Sequence, residues 1–239
     1  MCEWRGQYRI QHPSKFLLDS DAPREIALLT TAANLPYRMW LQVRNRLRTN
    51  SLDGYEVVRH ENPPLDILTS LYDRHVPDRL HAIRDRAFYE TRLETPDVTY
   101  RTYVARSGGE MSAAIIVSQQ QPEQVATLVD LLPLGATGTR TGDVIETILA
   151  RILADYDEAK AIECSPVLSE DLAERFGFHT RDLISGIARL ERTPRVLEEV
   201  DRTFDDRMFG VETSAAEGLP VDVAEYDNWW LAGIERDDR

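Results

Sequence analysis

One stretch does most to limit what this chain can fold into: "QVATLVDLLPLGATGTRTGDVIETILARIL", residues 124–153. An almost wholly apolar run, too short for a helix of this hydrophobicity, ends at Pro133 and reads as a strand buried on both faces. Gly135, Gly138 and Gly142 follow. Then Val144, Ile145, Ile148, Leu149, Ile152 and Leu153 recur at helical spacing as one apolar stripe. A buried strand feeding an amphipathic helix, with another short strand ("KAIECSPV") beyond it, is a β-α-β crossover. A sheet with at least one parallel pair is therefore required.

The flanking segments extend that unit. "GYEVVRHEN" reads as a strand closed by Pro63 and Pro64, and "PLDILTSLYDRH" as a short helix with Leu65, Ile67, Leu68 and Leu71 inward. "RLHAIRDRAFYETRL" reads as a second helix. "TYRTYVARS" and "EMSAAIIVS" are β-rich runs around Gly108-Gly109, a hairpin signal. "SEDLAERFG" carries Ser169 at the N-cap, Glu170 and Asp171 in the first turn and Gly177 as the stop. "FHTRDLI" and "GIARLERT" read as two last strands. The order over residues 52–193 is β-α-α-β-β-β-α-β-α-β-β, an α/β (α+β) fold on a mixed sheet.

Residues 1–51 read as a linker and helical lead-in. Within them Met39, Trp40, Val43 and Leu47 share one helical face, which docks on a partner or on the chain's own core. Residues 194–239 read as an acidic C-terminal extension that packs back through Trp229 and Trp230, because adjacent tryptophans are costly to expose.

Charge narrows the function classes. The net charge is −13, and residues 198–239 alone carry thirteen acids against four arginines. A surface of this sign excludes sequence-independent nucleic-acid binding. With two lysines against 26 arginines, the composition fits a salt-rich cytosol or a GC-rich genome. No apolar run reaches the roughly 18 residues of a membrane span, and the N-terminus has no apolar core of a signal peptide; the expected location is cytoplasmic. Cys2 and Cys164 build no disulfide framework, and His75 and His81, six apart, give no metal pattern. Cys164 reads as a core residue. Among carboxylates on the expected strands, Glu110 and Asp130 are the candidate general bases, each also readable as a surface or turn carboxylate.

The succession of elements, with "VDLLPLG…TGDVIETIL" and "LAERFGF", resembles the GNAT acetyltransferases. "RDRAFYETRLETPDVTYRTYVAR" and the closing "NWWLAGIERDDR" resemble the second unit of two-repeat GNAT-like proteins of salt-loving archaea, with this chain beginning in the linker between units. The resemblance implies acetyl-CoA as cofactor and a small-molecule or protein amine as acceptor. It also implies association, as a homo-oligomer or with another GNAT unit. It places the cofactor on Leu132, Leu134, Gly138, Thr139, Arg140, Thr141 and Gly142, through backbone N–H groups and a helix N-terminus. Two departures stand out. The glycines do not reproduce the family's loop spacing, and Asp143 with Glu146 reads as a capping pair that would satisfy the N–H groups a phosphate needs. The family's proton-donating tyrosine, four residues before the glycine of the Gly-Phe pair, is here Ala173. A non-catalytic GNAT-like domain serving pairing, positioning or regulation is the alternative reading.

Overall fold

Alternation along the strands decides the layering. In a computed structural model, which describes residues 2–3, 7–12, 15, 36–41, 43, 54–77, 81–120, 124–134, 139–164, 168–180 and 208–209, seven strands form the main sheet. They are β2 (Gln7–Ile10), β3 (Glu56–His60), β4 (Val98–Ser107), β5 (Glu110–Gln120), β6 (Val125–Leu132), β7 (Ala161–Cys164) and β8 (His179–Thr180). Their order across the sheet is β3-β4-β5-β6-β7-β2-β8. Two further two-residue strands, β1 (Cys2–Glu3) and β9 (Met208–Phe209), pair antiparallel with each other.

Helices α1 (Leu65–Arg74) and α2 (Arg86–Arg92) cover one face; α3 (Thr139–Asp155) covers the other, and α4 (Glu170–Arg175) follows β7. Arg101 and Tyr103 of β4 reach Tyr156 and Asp155 at the end of α3. Asp130 of β6 meets Tyr89 of α2. Those contacts fix which side chains belong to the α3 face and which to the α1/α2 face.

The mixed-sheet expectation holds, and the expected element order runs as read from β3 to β8. Gly108 and Gly109 take φ of 60° and 88°, as a tight two-residue hairpin turn requires. All six residues of the α3 stripe are buried. The Ser169 hydroxyl accepts from the Leu172 N–H, and Gly177 ends the segment with φ of 80°. The last expected strand, "GIARLERT", and Trp229 and Trp230 lie outside the described residues.

Three details differ from the sequence reading. The second helix is shorter than its apolar pattern, because the Asp85 side chain accepts from the Phe88 N–H and starts α2 there, leaving 81–85 non-helical. Residues read as lead-in supply β2, which lies between β7 and β8 and pairs antiparallel with both. Its signal is weak because strand burial on both sides removes the polar alternation, and four residues hold only two strand repeats and barely one helical turn. On the helical segment 36–41, Leu41 is buried, whereas Met39 and Trp40 are 57% and 54% exposed and Val43 beyond it 54%. The face carrying those three is not the one turned to the core.

The lead-in is tied down at the turn between α3 and β7. The backbone N–H groups of Gln11 and His12 both donate to the Lys160 carbonyl. His12 Nε2 lies 2.9 Å from the Asp157 carbonyl oxygen, and Arg38 bridges Asp157 and Glu158 at 3.0 and 2.6 Å.

Candidate functional site

The central strand parts from its parallel neighbour halfway along. β6 and β7 pair from Val125↔Ala161 to Leu128↔Cys164, but β6 runs on to Leu132. Among the described residues no strand follows β6 on that side past Leu128. Val129 is an extra residue against β5, where the register jumps from Ile116↔Asp130 to Val117↔Leu128. Such a bulge bends a strand and sharpens its twist. The fork opens at the carboxyl ends of two parallel strands, where open α/β sheets bind ligands.

The seven residues assigned to the cofactor sort around this fork. Leu132 and Leu134, at the end of β6, are buried at 0% and 4% exposure. Gly138 lies outside the described residues. Thr139, Arg140, Thr141 and Gly142 form the first turn of α3, whose backbone N–H groups have no partner within the helix. A Cβ built on Gly142 would meet nothing within 4 Å, so this glycine is not there to relieve crowding.

One expectation about the loop is overturned. The helix begins at Thr139, so Asp143 is its fifth residue and not its cap. The Asp143 carbonyl accepts from the Thr147 hydroxyl at 3.0 Å, and Glu146 is ion-paired with Arg175 of α4. Neither carboxylate occupies the first-turn N–H groups. Thr139, Arg140 and Thr141 carry the helix back from Asp143, because nothing in the run "TRTGD" breaks it except one tolerated glycine.

The candidate bases separate sharply. Glu110 sits at the tip of the β4–β5 hairpin, exposed, and is a turn carboxylate. Asp130 is not: its expected surface or turn position is corrected by a side chain with no exposure at all. Arg84, equally buried, brings Nε to 3.3 and 3.4 Å from the two carboxylate oxygens. The Tyr89 hydroxyl donates to Asp130 Oδ2 at 3.1 Å, and the Leu131 N–H to Oδ1 at 3.1 Å. Burial, with the Asp130 charge beside it, pushes the Tyr89 phenol far above its ordinary range. Arg84 also donates to the Ala82 carbonyl at 2.7 Å and lies 5.5 Å from the Phe88 ring centre. The cluster pins the loop between α1 and α2 to the central strand.

Sequence reading missed this cluster because Arg84 looked like one charge among many on a helix. The only signal for it was a charged residue beside the apolar positions of "HAIRDRAF". Cys164 is wholly buried, and burial raises its thiol well above the ordinary value, which removes it as a nucleophile. Ala173 is buried in the core. His81 accepts or donates at 2.8 Å with the Tyr72 hydroxyl, and His75 is exposed. Among the described residues no group of three metal-ligating side chains occurs, and no helix is long and apolar enough to cross a membrane.

With that geometry in view, the comparisons with known proteins fall as follows. No protein-family model matches the sequence, and no curated protein does. Among solved structures the chain is similar to a tandem GNAT protein from the clavulanic acid biosynthesis pathway, determined without acetyl-CoA. The identity is 13%, the TM-score 0.42, and the match covers 74% of this chain and 50% of that one. The chain is also similar to the C-terminal domain (DUF2156) of a putative lysylphosphatidylglycerol synthetase from Agrobacterium fabrum. There the identity is 12% and the TM-score 0.40, over 69% of this chain and 46% of that one. The chain thus spans about half the length of each of these two structures.

Proposed function

We propose that the chain is a GNAT-like N-acetyltransferase that moves an acetyl group from acetyl-CoA to an amine. The observation that carries the reading is the fork between β6 and β7, with the open first turn of α3 beside it. Acetyl-CoA supplies an activated thioester. Leu132 and Leu134 would flank its acyl arm, and the N–H groups of residues 138–142 would receive its phosphates, helped by Arg140 and the Thr139 and Thr141 hydroxyls. The amine nitrogen attacks the thioester carbonyl carbon. The C–N bond forms as the C–S bond breaks, the electron pair leaves on sulfur, and the proton lost from nitrogen ends on the thiol.

A second reading, a GNAT-like domain that pairs with another unit and turns nothing over, is favoured by Ala173. A buried methyl group stands where the family's tyrosine would protonate the departing thiolate.

The test is calorimetric titration of acetyl-CoA, in molar salt, into the purified chain and into Gly142→Glu. A carboxylate in the first turn suits the helix dipole but repels a phosphate, and a Cβ at this position meets nothing within 4 Å. Micromolar binding that the variant loses supports the transferase, and turnover with an amine then separates it from the silent domain. Equal binding in both proteins, or none, overturns the cofactor site.

A further inference from the structure

We propose that His60, Thr102 and Arg106 form a binding site for a small carboxylate near the outer edge of the sheet. The site is separate from the fork, since β4 lies two strands away from β6, and it does not rest on the acetyl-transfer reading.

Strand register places the three side chains together. Arg101 and Tyr103 face α3, so Thr102, between them in β4, faces α1 and α2. His60 is the partner of Thr102 across the β3–β4 ladder and shares that face. Along the same face Val58 lies opposite Val104, and Glu56 opposite Arg106. Among the described residues no ion pair joins Arg106 to Glu56. The charge of Arg106 acts instead on His60, whose imidazole is held below its ordinary value by burial first and by this guanidinium second. The last turn of α1 closes the end of the patch: Arg74 donates to the Met111 carbonyl at 3.1 Å, and Met111 stands opposite Arg106 on β5.

Polar atoms without partners mark this patch. Arg106 Nε, His60 Nε2 and Thr102 Oγ1 are all covered from solvent, and none has a hydrogen-bond partner among the described residues. Thr102 has no exposure at all. A group that has lost water and gained nothing is costly, and native folds leave few of them. Here three fall on one face of two paired strands. His60 sits on the outermost strand, and both it and Arg106 are only half-buried as residues, so a turn of either side chain uncovers the inner atoms to a small ion.

The chemistry of the three groups selects the ligand. Arg106 only donates, and Thr102 and a neutral imidazole each have a hydrogen to donate, so the set suits an oxyanion. His60, with its value lowered, is neutral at about pH 7. Arg106 therefore brings a single positive charge, and the exposed Glu56 opposite it disfavours a second negative one. A carboxylate matches one guanidinium in charge and in its planar pair of oxygens, whereas a phosphate dianion leaves a charge uncompensated.

The probe is sodium acetate, titrated at constant ionic strength into the full chain, Arg106→Gln, Thr102→Val and the control Arg86→Gln, whose side chain is 60% exposed on α2. Histidine ring signals are followed by NMR, and His60→Gln identifies the one that belongs to His60. That signal is expected to shift saturably. Its midpoint should rise about tenfold in Arg106→Gln and severalfold in Thr102→Val, and stay unchanged in Arg86→Gln. Without acetate, Thr102→Val should melt higher than the wild-type chain, because it removes a hydroxyl that has no partner. Should Arg106→Gln fold poorly, Thr102→Val still reads the site. A His60 signal that does not respond, or equal midpoints in all variants, overturns the site. Weakening shared by Arg86→Gln marks diffuse attraction and overturns it too. Inorganic phosphate binding more tightly than acetate overturns the assignment to a carboxylate, and a lower melting temperature in Thr102→Val overturns the donor set.

Discussion

Arg84 and Asp130 are each without exposed side-chain surface, and a buried charge deprived of its partner is costly. Arg84→Met is expected to destabilise the chain by about 3–5 kcal/mol, measured as a shift in urea midpoint. Arg84→Met combined with Asp130→Asn removes both charges and keeps an acceptor for the Leu131 N–H, so it should regain at least half of the loss. A double variant no better than the single would mean that Arg84 acts through its packing on Phe88 and not through its charge. His12 gives a pH dependence of definite sign. Burial first, then Arg38 and Lys15, hold its imidazole below the ordinary 6.5, against a smaller opposing effect of Glu158 and the Asp157 carbonyl. The unfolded chain then binds the proton more readily than the folded one, so stability is full above about pH 6.5 and falls as pH drops toward the folded value. His12→Gln should flatten the urea midpoint between about pH 7 and about pH 5.5; the slope that remains belongs in part to His60, lowered by burial and Arg106. An unchanged slope would remove His12 from the account.

Helix α3 shows how local signals and their limits combine at the level of elements. Its buried stripe was legible because six apolar residues, from Val144 to Leu153, repeat at helical spacing within a helix of 17 residues. Its start was not, because Asp143 and Glu146 satisfy a capping pattern that several sequences satisfy by chance. Real capping depends on which N–H groups are left over. Since the helix includes Gly142 and a Cβ there has room, Gly142→Ala is expected to stabilise by about 1 kcal/mol. A melting temperature raised by roughly 2–4 °C would show it, and a drop would mean that the backbone there is not helical. The bulge at Val129 and the buried pair behind it were illegible for a different reason: pairing partners 46 residues apart leave no mark on either segment's periodicity. Strand β2 was hidden likewise, since its neighbours lie near the far end of the chain. Removing residues 1–12 is expected to speed hydrogen exchange at residues 161–164, whose ladder it completes on one side. Unchanged protection there would mean that β7 is held by β6 alone.

Across the whole molecule, charge and sheet edges set how the chain behaves toward itself and others. A net charge of −13 opposes compaction, so raising KCl from about 0.1 M to about 2 M should raise the melting temperature by screening that repulsion. A temperature that falls instead would place the balance in ion pairs such as Arg38 with Glu158. The outer strand β3 carries Glu56, Arg59 and His60, and Arg59 is engaged by Glu61 and Asp155 at 2.7 and 3.2 Å. Charged side chains on an edge strand discourage sheet-to-sheet pairing, so any association between copies is expected elsewhere on the surface. The position of β2 also has a meaning in time. A chain leaves the ribosome N-terminus first, and Arg9 of β2 donates to the Phe176 carbonyl, 167 residues further on. Strand β2 thus waits for β7 and β8, synthesised much later, before the sheet can close. Contact order this high slows folding and prolongs exposure of half-formed edges. Until β7 and β8 emerge, β2 is an unpaired strand that a nascent molecule has to shield.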